Sequence, residues 1–280
     1  MSWRIAVRHR TGHRYGRPVQ ASYNEARLTP PTRDGQRTLQ ADLVITPGVR
    51  PLRYVDYWGT IVDAFDIHVP HTELVVLAIS TVETARPRPL PAGVGWSDLA
   101  DPGVRDRFAE LLAGTVYVHP EPELVELGQS LRVGSTPVEA GLRAAAWTHE
   151  TLRYERGATH VHTSSAEARA AGKGVCQDFA HVTLALLRAV GLPARYISGY
   201  VHPAAEAEVG ETTVGESHAW VEFWAGEWVA VDPTSLAEVG SRHVLLASGR
   251  DYADVRPLSG VYSGAAAEQF GVTVDVTRLA

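Results

Sequence analysis

Cys176, His218 and Asp232 are the residues whose types and spacing suit covalent chemistry. The stretch Gly172-Lys173-Gly174-Val175-Cys176-Gln177-Asp178 runs into Phe179, Val182, Leu186 and Val190, which recur at helical spacing and are closed by Gly191 and Pro193. Cys176 is therefore predicted to open a helix. A thiol at a helix start is favoured as thiolate by unpaired backbone N–H groups and by the positive end of the helix dipole. Gly172 and Gly174 leave its approach uncrowded. Taken alone, Cys176 reads equally well as a small buried apolar side chain, the usual place of a free cysteine.

The partners come from a second pattern. Ser217-His218-Ala219-Trp220-Val221-Glu222-Phe223-Trp224 alternates, meets Ala225-Gly226-Glu227, and resumes as Trp228-Val229-Ala230-Val231 before Asp232-Pro233. This is the pattern of a β-hairpin. A three-residue turn sets Trp224 opposite Trp228, Glu222 opposite Ala230 and Trp220 opposite Asp232, with His218 one diagonal step from Asp232. A two-residue turn would flip Asp232 to the other face; the longer turn is the register adopted. An imidazole so placed takes the thiol proton, and the carboxylate steadies its other nitrogen. Singly, His218 reads as a core histidine and Asp232-Pro233-Thr234 as a strand-ending turn. Together with a helix-borne thiol they read as nucleophile, base and orienter. The Cys176 backbone N–H is the expected oxyanion donor, with the Gln177 side chain a weaker candidate for the second. Trp220 and Trp224 read as core or as cleft walls.

Three regions must position these groups. Residues 1–86 read as an amino-terminal β domain, sandwich-like. Trp3, Ile5 and Val7 alternate, as do Leu39, Ala41, Leu43 and Ile45, and Pro30-Pro31, Pro47-Gly48 and Trp58-Gly59 punctuate them. The nearly continuous apolar run over residues 74–82 suggests a strand buried on both faces. Residues 87–135 form a connector with short helices, starting in a Pro- and Gly-rich stretch over 87–95; Asp101-Pro102 signals one helix start. Residues 136–280 hold the catalytic core and a C-terminal segment. There Thr136-Pro137-Val138-Glu139 forms a capping box that predicts a helix from 137 to about 152, and Ser164-Ser165-Ala166-Glu167 predicts a short one ending near Gly172.

With 280 residues, 45% of them hydrophobic, the chain can bury a substantial core. Its single cysteine excludes an intramolecular disulfide. No apolar stretch suggests a membrane span, and the N-terminus lacks the apolar block of a secretory signal, so a cytoplasmic address is expected. The formal net charge is −6, yet the first sixty residues hold ten Arg against four acids. Those Arg are scattered through strand-like sequence, which argues against nucleic acid. His160 with His162 and His68 with His71 lack neighbouring ligands to complete a metal site. Gly172-Lys173-Gly174 lacks the remainder of a phosphate loop, and there is no EF-hand pattern, so no cofactor and no metal are expected. The oligomeric state is not legible.

Four blocks resemble those of the bacterial transglutaminase-like proteins. They are Gly174-Val175-Cys176-Gln177-Asp178-Phe179-Ala180-His181, Gly191-Leu192-Pro193-Ala194-Arg195-Tyr196, Ser217-His218-Ala219-Trp220-Val221-Glu222 and Val231-Asp232-Pro233-Thr234. Ser22-Tyr23-Asn24-Glu25-Ala26-Arg27-Leu28-Thr29-Pro30 and Asp56-Tyr57-Trp58-Gly59 are similar to that family's amino-terminal β domain, with Thr60 where the family often has Asn. The resemblance implies an α+β, papain-like core with catalytic Cys176, His218 and Asp232, and a thioester formed from a peptide, protein or small amide substrate. Transfer to water makes a peptidase or amidase; transfer to an amine makes a transglutaminase or an amide-forming enzyme. A third reading is a non-catalytic binding or scaffold protein that retains the fold.

Overall fold

The structure is a computed structural model that describes residues 2–33, 35–215, 217–264 and 267–280. The first third is all strand: β1 (Trp3–Val19), β2 (Ala21–Ala26), β3 (Gln36–Thr46), β4 (Leu52–Val55), β5 (Ile61–Ile67) and β6 (His71–Thr84). Alternation along β1 buries Trp3, Ile5 and Val7 on one face, as period-2 patterning requires. In β6, Leu74, Val76, Ala78 and Val82 are buried while Val75 and Leu77 are half-buried and Ile79 is exposed. The expectation of burial on both faces is therefore corrected. The strand lies in an antiparallel sheet with only one face on the core, and its second apolar row stays partly open.

After a coil over residues 85–95 come three helical turns, α1 (Trp96–Leu99), α2 (Pro102–Arg107) and α3 (Ala109–Leu112). The longer helices are α4 (Pro122–Arg132), α5 (Pro137–Thr151), α6 (Ser165–Ala171) and α7 (Cys176–Val190), and two-residue strands β7 (Arg153–Tyr154) and β8 (Lys173–Gly174) pair in parallel around α6. Both capping boxes form as their sequences require: Thr136 with Glu139 starts α5 and Ser164 with Glu167 starts α6. Gly172, in the left-handed conformation that favours glycine, ends α6.

The remaining strands are β9 (Ala194–Val201), β10 (Thr212–Gly215), β11 (His218–Trp224), β12 (Trp228–Val231), β13 (His243–Gly249), β14 (Leu258–Ser263) and β15 (Ala267–Arg278). One antiparallel sheet, ordered β12-β11-β9-β13, carries α7 against β11 and β9. Ala219, Val221 and Phe223 of β11 join Ala180, Leu184 and Leu187 of α7 in the main core, while Trp220, Ile197 and Leu245 form a separate cluster. That is the alternation expected of a strand covered on both faces by different partners.

The last two strands return to the start of the chain. β15 pairs with β1 and β10 in the sheet β10-β15-β1-β6-β3, and β14 pairs with β2 in the sheet β14-β2-β5-β4. The N-terminal sheets are thus completed by residues from the far end of the sequence. Among the described residues, no helix is long and apolar enough to cross a membrane.

Candidate active site

Cys176 is the first residue of α7, as its sequence context predicts. Asp178 closes that helix start by accepting the Val175 N–H at 2.7 Å, and Thr159 Oγ1 donates to the same carboxylate oxygen at 2.6 Å. The carboxylate lies against Gly174, where a Cβ would meet Asp178 Oδ2 at 2.5 Å. Gly174 therefore serves close approach: a side chain there would displace the group that caps the helix. Burial raises the Asp178 pKa, against the lowering effect of its bonds to Thr159 and Val175.

The hairpin adopts the three-residue register. Trp224 pairs with Trp228 and Glu222 with Ala230, and Gly226 takes a φ of 96° in the turn. β12 ends at Val231, which leaves Asp232 immediately beyond it, and β11 opens at His218. His218 Nε2 and Asp232 Oδ2 are 2.9 Å apart. Cys176 helps to raise the pKa of the same ring, and its Sγ is 4.0 Å from the carbonyl oxygen of Ser217, the residue before His218. With Nε2 engaged by Asp232, Nδ1 is the nitrogen left for the sulfur. The structure pairs His218 with Asp232 and sets the Cys176 sulfur against Ser217, the residue before His218.

Burial alone would push the His218 pKa down, but the hydrogen bond to Asp232, together with nearby Cys176, outweighs it and raises it to about 10. Burial would raise Asp232, yet the hydrogen bonds to His218 and from Ser235, with the His243 ring nearby, hold it far below the usual carboxylate range. The charged pair of imidazolium and carboxylate is the favoured state. Asp232 is itself fixed from behind: Thr234 N donates to Oδ1 at 2.9 Å and Ser235 Oγ to Oδ2 at 2.7 Å. These two contacts were within reach of sequence reasoning, since an Asp followed by Thr and Ser two and three residues on is the pattern of an Asx turn.

Gln177, the weaker oxyanion candidate, donates its side-chain amide to the Val161 carbonyl at 3.1 Å. Trp220 is both core and wall: it is 1% exposed and its ring stacks on His218 at 27° and 6.1 Å. Trp224 instead packs on Phe108. Two further residues at the site are not among the sequence-derived candidates. Tyr196 on β9 is buried, and burial together with nearby Cys176 pushes its pKa well up. His243 on β13 places Nε2 3.9 Å from Asp232 Oδ2. His160 and His162 are engaged with Thr163 and Tyr117, and His71 with the Val69 carbonyl. A cavity of about 450 Å³ lies behind the hairpin, lined by Arg33, Leu90, Trp220, Trp228 and His243 among others.

A helix-opening cysteine set against an antiparallel sheet that bears a paired histidine and aspartate is the arrangement of papain-like cysteine enzymes. Family models agree: residues 126–233 match the transglutaminase-like superfamily core and residues 5–83 the bacterial transglutaminase-like N-terminal region. The chain belongs to the transglutaminase-like superfamily. It is 44% identical over 278 residues to an uncharacterized protein of Mycobacterium leprae, covering 99% of this chain and 100% of that one. It is 31% identical over 147 residues to a protein-glutamine gamma-glutamyltransferase of Pseudomonas aeruginosa, covering 48% of this chain and 20% of that protein. In fold it is similar to a proposed cysteine protease from Cytophaga hutchinsonii, with a TM-score of 0.80 at 20% identity over 100% of this chain and 92% of that one.

Proposed function

We propose that the protein transfers the acyl group of an amide through a thioester on Cys176, with water as the usual acceptor. The observation that carries this reading is the His218–Asp232 pair, with the carboxylate 2.9 Å from Nε2, set beside the helix-opening Cys176, whose sulfur is 4.0 Å from the Ser217 carbonyl oxygen. At rest His218 holds the proton of the Cys176 thiol as an imidazolium paired with Asp232, which leaves the sulfur as the thiolate. The thiolate attacks the amide carbonyl, and negative charge develops on its oxygen beside the Cys176 N–H at the start of α7. Collapse breaks the C–N bond, and His218 returns its proton to the departing amine. Attack on the thioester by water, again assisted by His218, frees the acid and restores the thiolate.

Cys176 is only partly buried, so water has access to a thioester formed there. A second reading keeps the chemistry and gives the acyl group to an amine; the name of the Pseudomonas aeruginosa relative favours it. The acceptor is decided by how far the cleft excludes water from the acyl-enzyme. The two readings separate when a glutamine-containing peptide is incubated with a primary amine. Free acid and ammonia with no amide product support hydrolysis; accumulation of the amide in preference to the acid overturns it.

A further inference from the structure

His243 is a buried imidazole that the proposed reaction does not use. Its ring is 5% exposed and stands edge-on to Trp220 at 5.3 Å, in the same group of side chains as His218. Gly240 N–H donates to Nδ1 at 3.3 Å, so in the neutral ring the proton resides on Nε2. That Nε2–H has no hydrogen-bond partner, and the nearest carboxylate oxygen is Asp232 Oδ2, 3.9 Å away. An unpaired buried donor is costly unless it serves a nearby negative charge.

His218, Asp232 and His243 present ligand atoms within 4.8 Å of one another, a spacing open to a metal ion. The tautomer argues against one. A metal-bound imidazole offers a bare nitrogen and donates from its other one, whereas here Nδ1 accepts and Nε2 bears the hydrogen.

We infer that His243 is a positioning residue, a neutral donor that holds Asp232 anionic and in place behind His218. This rests on the acyl-transfer reading above. The groups that face it are Asp232, His218 and Arg242, the residue just before β13; burial together with the two cations keeps it neutral against the pull of Asp232. The backbone that fixes its tautomer is fixed in turn, because a Cβ on Gly240 would meet Pro87 N at 2.5 Å, so the connector rests directly on the donor of the Nδ1 bond.

The test is alkylation of the single cysteine by iodoacetamide, followed by mass across pH 4–10, in the wild type, His243→Leu and His243→Gln. Thermal unfolding confirms that each variant is folded. The Leu variant lacks the donor, and the pH of half-maximal alkylation is expected to rise by about one unit. Its kcat on an amide substrate is expected to fall about ten-fold with KM within about two-fold, a loss of transition-state stabilisation with substrate binding kept. The Gln variant, which keeps an N–H, recovers most of both. Equal loss in both variants would make His243 a packing residue and overturn the inference, as would a Leu variant that matches the wild type. A wild-type thiol no faster than a free one would instead sink the acyl-transfer reading itself, and this inference with it.

Discussion

At the scale of single residues, the account divides labour among Cys176, His218 and Asp232, and each has a distinct expected failure. Cys176→Ala removes the nucleophile, so turnover falls to the uncatalysed level while the fold persists. Asp232→Asn keeps the shape of the carboxylate but not its charge, and kcat is expected to drop by about 10²–10⁴-fold with KM little changed. Steady-state kinetics on one amide substrate checks both. The same pair sets a pH dependence of stability. His218 is raised from 6.5 to about 10 in the folded protein, so its contribution is complete below pH 6.5 and is lost as pH rises through 10. Asp232 is lowered from 3.8, so its contribution is present above that value and is lost as pH falls through its folded value. The unfolding free energy of the wild type minus that of His218→Gln should be flat from about pH 4 to 6.5 and should shrink steadily toward pH 10. A difference that grows above pH 7 would contradict the imidazolium–carboxylate assignment.

At the scale of elements, helix α7 and the β11–β12 hairpin carry the chemistry, and their partners fix the distance between them. Phe223 of β11 packs on Gly141 of α5, where an added Cβ would run into the ring. Alanine at that position gains about 1 kcal/mol of helix propensity, but overpacking a closed core costs about 1–3 kcal/mol. All three nearest ring atoms lie within 3 Å and Phe223 is fully buried, so the clash wins. Gly141→Ala is expected to lower stability by about 1 kcal/mol or more in urea titration. Much at this scale is legible in the sequence, because capping boxes, a helix-opening Cys and a Gly-bearing turn act locally. The hairpin register follows from the turn, and with it the approach of His218 to Asp232. β6 is legible as a strand but not in its burial, since an apolar row on the open face of an antiparallel sheet looks no different from a buried one. His243 is silent for another reason: nothing within its own strand reports that β13 brings it beside a carboxylate from the end of β12.

At the scale of the whole molecule, the N-terminal sheets brace the strand that bears His243. The Gln36 side chain donates to the Leu245 carbonyl at 2.9 Å and accepts from Leu245 N at 2.8 Å, where the pairing of β13 with β9 shifts register between Leu245 and Ala247. Thr60 Oγ1 accepts from Ser248 N, and His9 meets the Tyr200 hydroxyl at 2.8 Å. Gln36→Ala would strand both groups of Leu245 in the interior and is expected to cost about 1–3 kcal/mol, read as a lower urea midpoint at unchanged m-value. The return of β14 and β15 to the first sheets has no counterpart in local sequence pattern, since the pairing joins opposite ends of the chain. It makes the β region and the core parts of one cooperative structure, and a single unfolding transition is expected.

The most direct measurement of the central claim is intact and peptide mass spectrometry of the protein quenched in acid during turnover of a slowly deacylated activated ester. The account requires an acyl mass increment on the peptide that contains Cys176, formed faster in the wild type than in His218→Ala and absent from Cys176→Ala. An increment carried by any other residue, or turnover that persists in Cys176→Ala, would contradict it.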